Sequence, residues 1–176
     1  MDVFETMRQR KSTRKFTRAP LNKDDLLKIA EAARMTATSV NQQSRQFTLI
    51  HNQALIQRLE TTLGGYGYGL YEPQAVLLIS SPRDNTYSQI ETGLAAQNAY
   101  LAATALGLST VWPDQIRNRC DEPIIRKILN ELAIPIDHIC WCVLPIGVPA
   151  EEPDAKERTE TIHYIDESIN QLKKSD

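Results

Sequence analysis

Apolar residues recur along this chain with two different spacings. Leu26, Ile29, Ala30 and Ala33 fall at i, i+3, i+4 and i+7, which is one face of a helix. Asn22 stands ahead of them as a cap, and Asp24 and Asp25 lie in the first turn, where carboxylates suit the helix dipole. The same reasoning predicts helices over Val3 to Gln9, Ala54 to Leu63 and Glu122 to Leu132. A longer one is predicted from Thr86 to Leu106, ended by Gly107 with Leu108 beyond it. Ala75 to Ile79 is an unbroken apolar run, the form of a strand buried on both faces. Phe47 to His51, Thr110 with Val111, and Ile139 to Ile146 read as further strands. Thr36 to Ser44 has no apolar period and reads as a loop, as does GGYGYG after Leu63. Helices and strands in alternation imply an α/β or α+β sandwich around one sheet.

Two segments break the ordinary pattern. The stretch GLAAQNAYLAATALG within the long helix is apolar or small nearly all the way round. A helix without a solvent face is buried on most sides. Either it is central to a monomer, or a second copy of the chain supplies its cover. The tail from Val148 to Asp176 is charged and begins with Pro149 and Pro153, yet keeps Ile162, Tyr164 and Ile165. It is either a frayed terminus or a segment that packs on another surface.

Composition narrows the class. The 176 residues are 41% hydrophobic and 24% charged, which is ordinary for one soluble globular domain. The net charge of -2 gives no general attraction to nucleic acid or an anionic membrane. Three cysteines without a CxxC pair suggest free thiols in a reducing compartment, and the N-terminus has no apolar signal core. No stretch approaches the run of about 20 apolar residues that spans a bilayer. These features point to the cytoplasm.

Arg8, Arg10, Lys11, Arg14 and Lys15 fall within eight residues, interleaved with Ser12 and Thr13. This is either an anion site, with cations and hydroxyls on phosphate oxygens, or a solvated charge run. A nucleic-acid arm fits less well, because no aromatic residues interleave with the charges. Neither a Walker A loop nor GxGxxG after a strand occurs. His51, His138 and His163 have no ligand spacing, so no metal site is expected. Cys140 and Cys142 flank Trp141 and are expected on one strand face as buried thiols. Tyr66, Tyr68 and Tyr71 either line a substrate mouth or simply pack.

Four separated segments carry a resemblance to a known family. RKSTRKF (Arg10 to Phe16) resembles the N-terminal RRSxRxF element of the nitroreductases, and TSVNQQ (Thr38 to Gln43) resembles their S-x-N-x-Q loop. QNAYLAATALGLSTVW (Gln97 to Trp112) resembles their central helix and its GLG-type exit. LPIGVPAEEPDAKERTETIHY (Leu144 to Tyr164) resembles their closing strand and the basic segment after it. In order and spacing these segments span nearly the whole chain.

The resemblance implies an α+β fold, a three-layer α/β/α sandwich with a central mixed sheet flanked by helices, in an intertwined homodimer. It implies FMN as cofactor, NAD(P)H as electron donor and a small-molecule acceptor such as a nitroaromatic or quinone, reached by a ping-pong cycle in which flavin N5 carries the chemistry. Arg10, Lys11, Ser12 and Arg14 match positions that hold the phosphate and ribityl chain, and Arg158, with Lys156 beside it, matches a second basic group on the phosphate. Thr38, Ser39, Asn41 and Gln43 match a loop that reaches the flavin from the partner subunit. Trp112, Pro113 and Asp114 match a turn whose backbone lies against the ring. Residues 1–147 would form the FMN-binding domain and 148–176 an extension packing on the partner. The pattern departs at Ser44 and Arg45, where the family has Pro and Trp; at Ala37, where many members have Pro; and at Gln115, where Gly is common. The region from Leu63 to Thr86 is short, so the substrate lid is trimmed. That trimming keeps a second reading open, an FMN store or sensor without turnover, and a third in which the fold binds no flavin and the basic segment meets another anion.

Overall fold

Strand β2 (Ala75–Pro82) is buried along nearly its whole length, and its alternating side chains define two layers. Ala75, Leu77 and Ile79 join one core, and Val76 and Leu78 join the other. The first core is closed by helices α2 (Lys23–Arg34) and α4 (Ser88–Ala105) through Leu26, Ile29, Ala95, Ala99 and Ala103. The second is closed by α3 (Gln53–Leu63) and α5 (Pro123–Glu131) through Ile56, Leu59, Ile125 and Leu129. The fold is therefore α+β in three layers, with one sheet between two pairs of helices. This computed structural model describes residues 2–64, 69–151 and 157–165.

Among the described residues four strands make the sheet in the order β1-β2-β4-β3, where β1 is Gln46–Ile50, β3 is Ser109–Thr110 and β4 is His138–Gly147. All three ladders are antiparallel, so the expected mixed character reduces to one isolated parallel bridge, Ser12 with Thr110. Strand β3 is short for a chemical reason. The Gln74 N–H donates to the Ile146 carbonyl at 3.1 Å, so Ile146 points its backbone polar groups at the β2 side and Pro145 points toward β3. In the β3–β4 register, which pairs Ser109 with Gly147 and Thr110 with Ile146, the next residue would meet Pro145. Proline has no N–H to offer, and the ladder stops.

A second irregularity corrects an expectation. Ile79 pairs with Cys142 but Ser80 pairs with Cys140, so Trp141 is an extra residue in β4. The bulge reverses the alternation: Cys142 joins the α2/α4 core and Cys140 the α3/α5 core, instead of sharing a face.

Helix ends follow the local chemistry. The Asn22 side chain accepts from Asp24 N–H at 2.7 Å, as expected of the cap of α2. Helix α4 ends in a complete Schellman motif: Leu108 N–H reaches Ala103 O at 2.8 Å and Gly107 N–H reaches Thr104 O at 3.0 Å. Gly107 adopts φ 72°, the left-handed conformation that residues with a Cβ resist. Helix α1 (Val3–Gln9) is capped by Asp2 and lies outside both cores. In the single chain, α4 is not buried all round. Tyr87, Ile90 and Leu94 form an exposed stripe at helical spacing, with Ile90 67% exposed. Val3, Phe4 and Met7 of α1 are exposed as well.

Candidate functional site

The early end of β3 builds the first half of the site. With Pro145 blocking further pairing, the chain leaves the sheet as the turn Val111 to Gln115. The free edge of β3 is then taken by the basic segment. Thr13 N–H donates to Thr110 O at 3.2 Å, and Ser109 Oγ donates to Thr13 Oγ1 at 2.5 Å in the interior. Farther on, Phe16 bridges Pro149, Thr17 N–H donates to Val148 O at 2.9 Å, and Ala150 N–H donates to Lys15 O at 2.9 Å. The segment from Ser12 to Thr17 is thus clamped along the end of the sheet.

Gly147 permits this close approach. A Cβ there would lie 2.8 Å from Cδ1 of Phe16 and 2.9 Å from its Cβ. Backbone pairing in turn directs side chains. Thr13 is buried, whereas Arg14 is exposed and Arg10, Lys11 and Ser12 are half-buried. Lys15 is drawn to Glu151, at 2.9 Å.

Tyr100 joins the basic segment to the turn. Its ring lies beneath the Arg10 guanidinium, 5.3 Å from Cζ to centroid, a cation–π geometry. Burial pushes the Tyr100 phenol up, while the Ser12 hydroxyl and the Trp112 backbone, both close to its oxygen, partly offset that. The phenol therefore stays neutral. In the turn, Trp112 is half-buried, Pro113 is buried, and Asp114 is exposed and paired with Arg117 at 2.9 Å. Trp112 Nε1 and both amide atoms of Gln115 are buried without a hydrogen-bond partner among the described residues. Such groups are costly unless something meets them.

The loop carrying Thr38, Ser39, Asn41 and Gln43 lies elsewhere. Its backbone is under strain: Val40, Asn41 and Gln43 have φ of 44°, 57° and 51°. For β-branched Val40 that is an outlier. Gln43 N–H donates to Thr38 Oγ1 at 3.1 Å, and Gln43 Nε2 donates to Asn41 Oδ1 at 2.9 Å. The loop is anchored at Glu91, whereas the basic segment is anchored at Tyr100. Nine residues of helix separate these two, about 13 Å at a rise of about 1.5 Å per residue. Within one chain the structure joins Arg10, Lys11 and Ser12 to the Trp112 turn and leaves the Thr38 loop apart.

Other expected residues fall variously. Arg158 lies in an exposed segment, residues 157–165, with Ile162 (92% exposed), Tyr164 and Ile165. Lys156, Tyr66 and Tyr68 lie outside the described residues. Tyr71 is half-buried at φ 68°. Two surface clefts, one of about 530 Å³ between Arg18, Glu60 and Glu72 and one of about 340 Å³ between Gln42, Ser44 and Tyr87, do not include the basic segment.

Sequence reasoning gave no role to Tyr100 or Glu91, and noted Thr13 only within the basic segment and Arg45 only as a departure from the family pattern. Tyr100 was detectable, as the one aromatic side chain in an alanine-rich stretch. Glu91 had a weaker signal, a lone carboxylate near the start of a helix that is otherwise nearly uncharged.

Known proteins share this architecture. Residues 7–65 and 61–148 match the profile of the nitroreductase family. An oxygen-insensitive NADPH nitroreductase of Salmonella typhimurium is 27% identical over 173 residues, covering 89% of this chain and 69% of its own length. A Methanothermobacter thermautotrophicus protein with the provisional name NADH dehydrogenase/NAD(P)H nitroreductase is 27% identical over 165 residues, covering 89% of this chain and 82% of its own. The crystal structure of a Bacteroides fragilis nitroreductase with bound FMN superposes with a TM-score of 0.86 at 25% identity, covering 94% of this chain and all of that one.

Proposed function

The chain belongs to the nitroreductase family, and from that premise we propose that it is an FMN-dependent NAD(P)H oxidoreductase whose two sites lie between the subunits of a homodimer. The observation that supports this reading is the clamp of the basic segment on β3, which brings Arg10 and Ser12 to Tyr100 beside the Trp112 turn.

The residues present fit FMN. Its phosphate carries close to two negative charges, which suits the half-buried Arg10 and Lys11 and the exposed Arg14. Ser12 adds a hydroxyl at the same place. Arg158 supplies a further cation, with Lys156 beside it. Trp112, Pro113 and Asp114 present the turn on which the ring would rest, and the partnerless Trp112 Nε1 and Gln115 amide are groups that a polar heterocycle could meet. Held there, FMN would supply the redox chemistry at its N5, linking NAD(P)H to an electron-poor acceptor such as a nitroaromatic or quinone in a ping-pong cycle. The protein binds, orients and excludes water. No side chain of this chain is assigned as nucleophile or general acid. Tyr71, with Tyr66 and Tyr68, is assigned to the acceptor side.

The dimer follows from two exposed features. Tyr87, Ile90 and Leu94 of α4, with Val3, Phe4 and Met7 of α1, leave an apolar surface uncovered in one chain. The Thr38 loop is anchored at Glu91, about 13 Å along α4 from Tyr100, and we assign it to the partner's site. Residues 1–147 then form the FMN-binding domain. The extension 148–176 lays Ile162, Tyr164 and Ile165 on the partner. We place the enzyme in the cytoplasm, where the buried free thiols Cys120, Cys140 and Cys142 stay reduced. No helix among the described residues is long and apolar enough to cross a membrane.

The test is direct. Purified protein should be yellow and release FMN on denaturation. Anaerobic stopped-flow mixing with NADH or NADPH should bleach the flavin, and a quinone should restore the colour. Colourless protein that refuses added FMN would overturn the assignment; flavin that neither nucleotide bleaches would leave a flavin-binding protein without turnover.

A further inference from the structure

The Thr38 loop holds a conformation that its own residues disfavour, so something outside it must impose that shape. Three non-glycine residues within four positions, Val40, Asn41 and Gln43, have positive φ. A left-handed backbone is disfavoured at residues with a Cβ and persists only where the surroundings over-determine it.

The surroundings here are one carboxylate and one guanidinium. Glu91, on the first turn of α4, is 2% exposed. Its Oε1 accepts from the Ser39 N–H at 2.7 Å, at the residue just before the first left-handed one. Its Oε2 lies 3.5 Å from Asn85 Nδ2, which also donates to Ser44 Oγ at 3.1 Å, on the far side of the strained run. Arg45 closes the circuit. Its Nη1 donates to Thr36 Oγ1 at 2.6 Å and to the Glu91 carbonyl at 3.0 Å, and its Nη2 donates to Thr36 O at 2.9 Å. The guanidinium also lies over the Phe47 ring, 5.4 Å to the centroid. Burial pulls its affinity for a proton down, and the charge of Glu91 opposes that loss.

Ser39 and Arg45 are therefore tied directly to the start of α4, Ser44 through Asn85 and Thr36 through Arg45. Val40, Asn41 and Gln43 are left exposed at the tip. Arg45 stands where the family pattern has Trp, so the hydrogen bonds it makes are a departure from that pattern.

We propose that Glu91 and Arg45 are positioning residues that lock the Thr38–Gln43 loop in its strained shape, so that it meets the flavin ring bound to the partner subunit. This rests on the FMN-dependent dimer proposed above. The loop would touch the ring and not the phosphate. Losing the clamp should therefore weaken riboflavin and FMN by the same factor, which damage to the basic segment would not do.

The experiment uses the full-length dimer, with Glu91→Gln, Glu91→Ala, Arg45→Lys and Arg45→Met variants. Binding of FMN and of riboflavin is titrated by quenching of flavin fluorescence, and amide hydrogen exchange is followed over residues 36–45. Glu91→Ala and Arg45→Met should each weaken both ligands by tenfold or more, and exchange in the loop should quicken while the remaining amides stay protected. Glu91→Gln, which keeps an accepting oxygen, and Arg45→Lys, which keeps the charge, should recover part of the loss. If wild type binds flavin and the variants bind both ligands with wild-type constants, or lose FMN alone, the clamp has no such role. If Glu91→Ala does not fold, the Glu91→Gln and Arg45→Lys pair decides by the same ratio. Wild type that binds no flavin would refute the parent reading instead.

Discussion

Ser109 and Thr13, 96 residues apart, share an interior hydrogen bond of 2.5 Å between their hydroxyls. One lies on the shortest strand of the sheet and the other in the basic segment, so this contact adds a side-chain tie to the backbone bonds that seat the segment. Thr13→Val keeps the shape but leaves the Ser109 hydroxyl without that partner. Equilibrium urea unfolding should show a loss of about 1–3 kcal/mol, and Thr13→Ser should restore most of it.

The cations beside that contact should act through charge. Lys11→Ala and Arg14→Ala should each weaken FMN by roughly ten-fold or more, from about 1.5–3 kcal/mol per charge-assisted hydrogen bond. Riboflavin, which lacks the phosphate, should bind each variant as it binds wild type. The FMN constant of wild type should also rise with added salt. An equal loss for both ligands would place the phosphate elsewhere.

The exposed stripe on α4 invites a second test. A double change, Ile90→Asp with Leu94→Asp, puts two carboxylates where a partner helix is expected. Light scattering after size exclusion should show a dimer for wild type and a monomer for the variant, and the monomer should bind FMN poorly. A variant that remained dimeric would move the interface off this face.

Buried thiols set the alkaline limit of stability. Burial raises Cys140 and Cys142 far above their ordinary range. In the unfolded chain they ionise near pH 8.5, whereas in the folded chain they keep their protons. Above that pH the unfolded state binds fewer protons, so stability that is complete below pH 8 falls as pH rises, by up to about 1.4 kcal/mol per thiol per pH unit. Urea midpoints at pH 8 and pH 10 should show the decline, and Cys142→Ala should roughly halve the share owed to this pair. His138, whose ring burial pushes down and whose Nδ1 lies 3.1 Å from Ser80 Oγ, acts in the opposite direction. Its contribution is present above pH 6.5 and is lost as pH falls.

The helices and strands were largely legible because their causes are local. Asn22 caps its own helix, Gly107 ends its own, and Ala75 to Ile79 is apolar because both faces are covered. The basic segment was legible as chemistry but not as a place, since its seat depends on Pro145 stopping β3 and on Gly147 leaving room for Phe16. Glu91 and Arg45 were illegible as a pair. Each looks ordinary alone, and they meet only because α4 passes beside the loop, 46 residues away in sequence. The Cys140–Cys142 expectation failed because a strand's alternation holds only while the partner strand matches it residue for residue.

That one supernumerary residue, Trp141, also segregates the two sulfurs chemically. Each thiol is sealed beneath its own pair of helices with the sheet as a partition between them, so their side chains diverge and cannot approach the few ångströms that an S–S bond demands. An oxidant reaching one has made no progress toward the other. Cys140 instead shares its side of the sheet with Cys120, whose sulfur accepts from the Cys140 N–H at 3.2 Å.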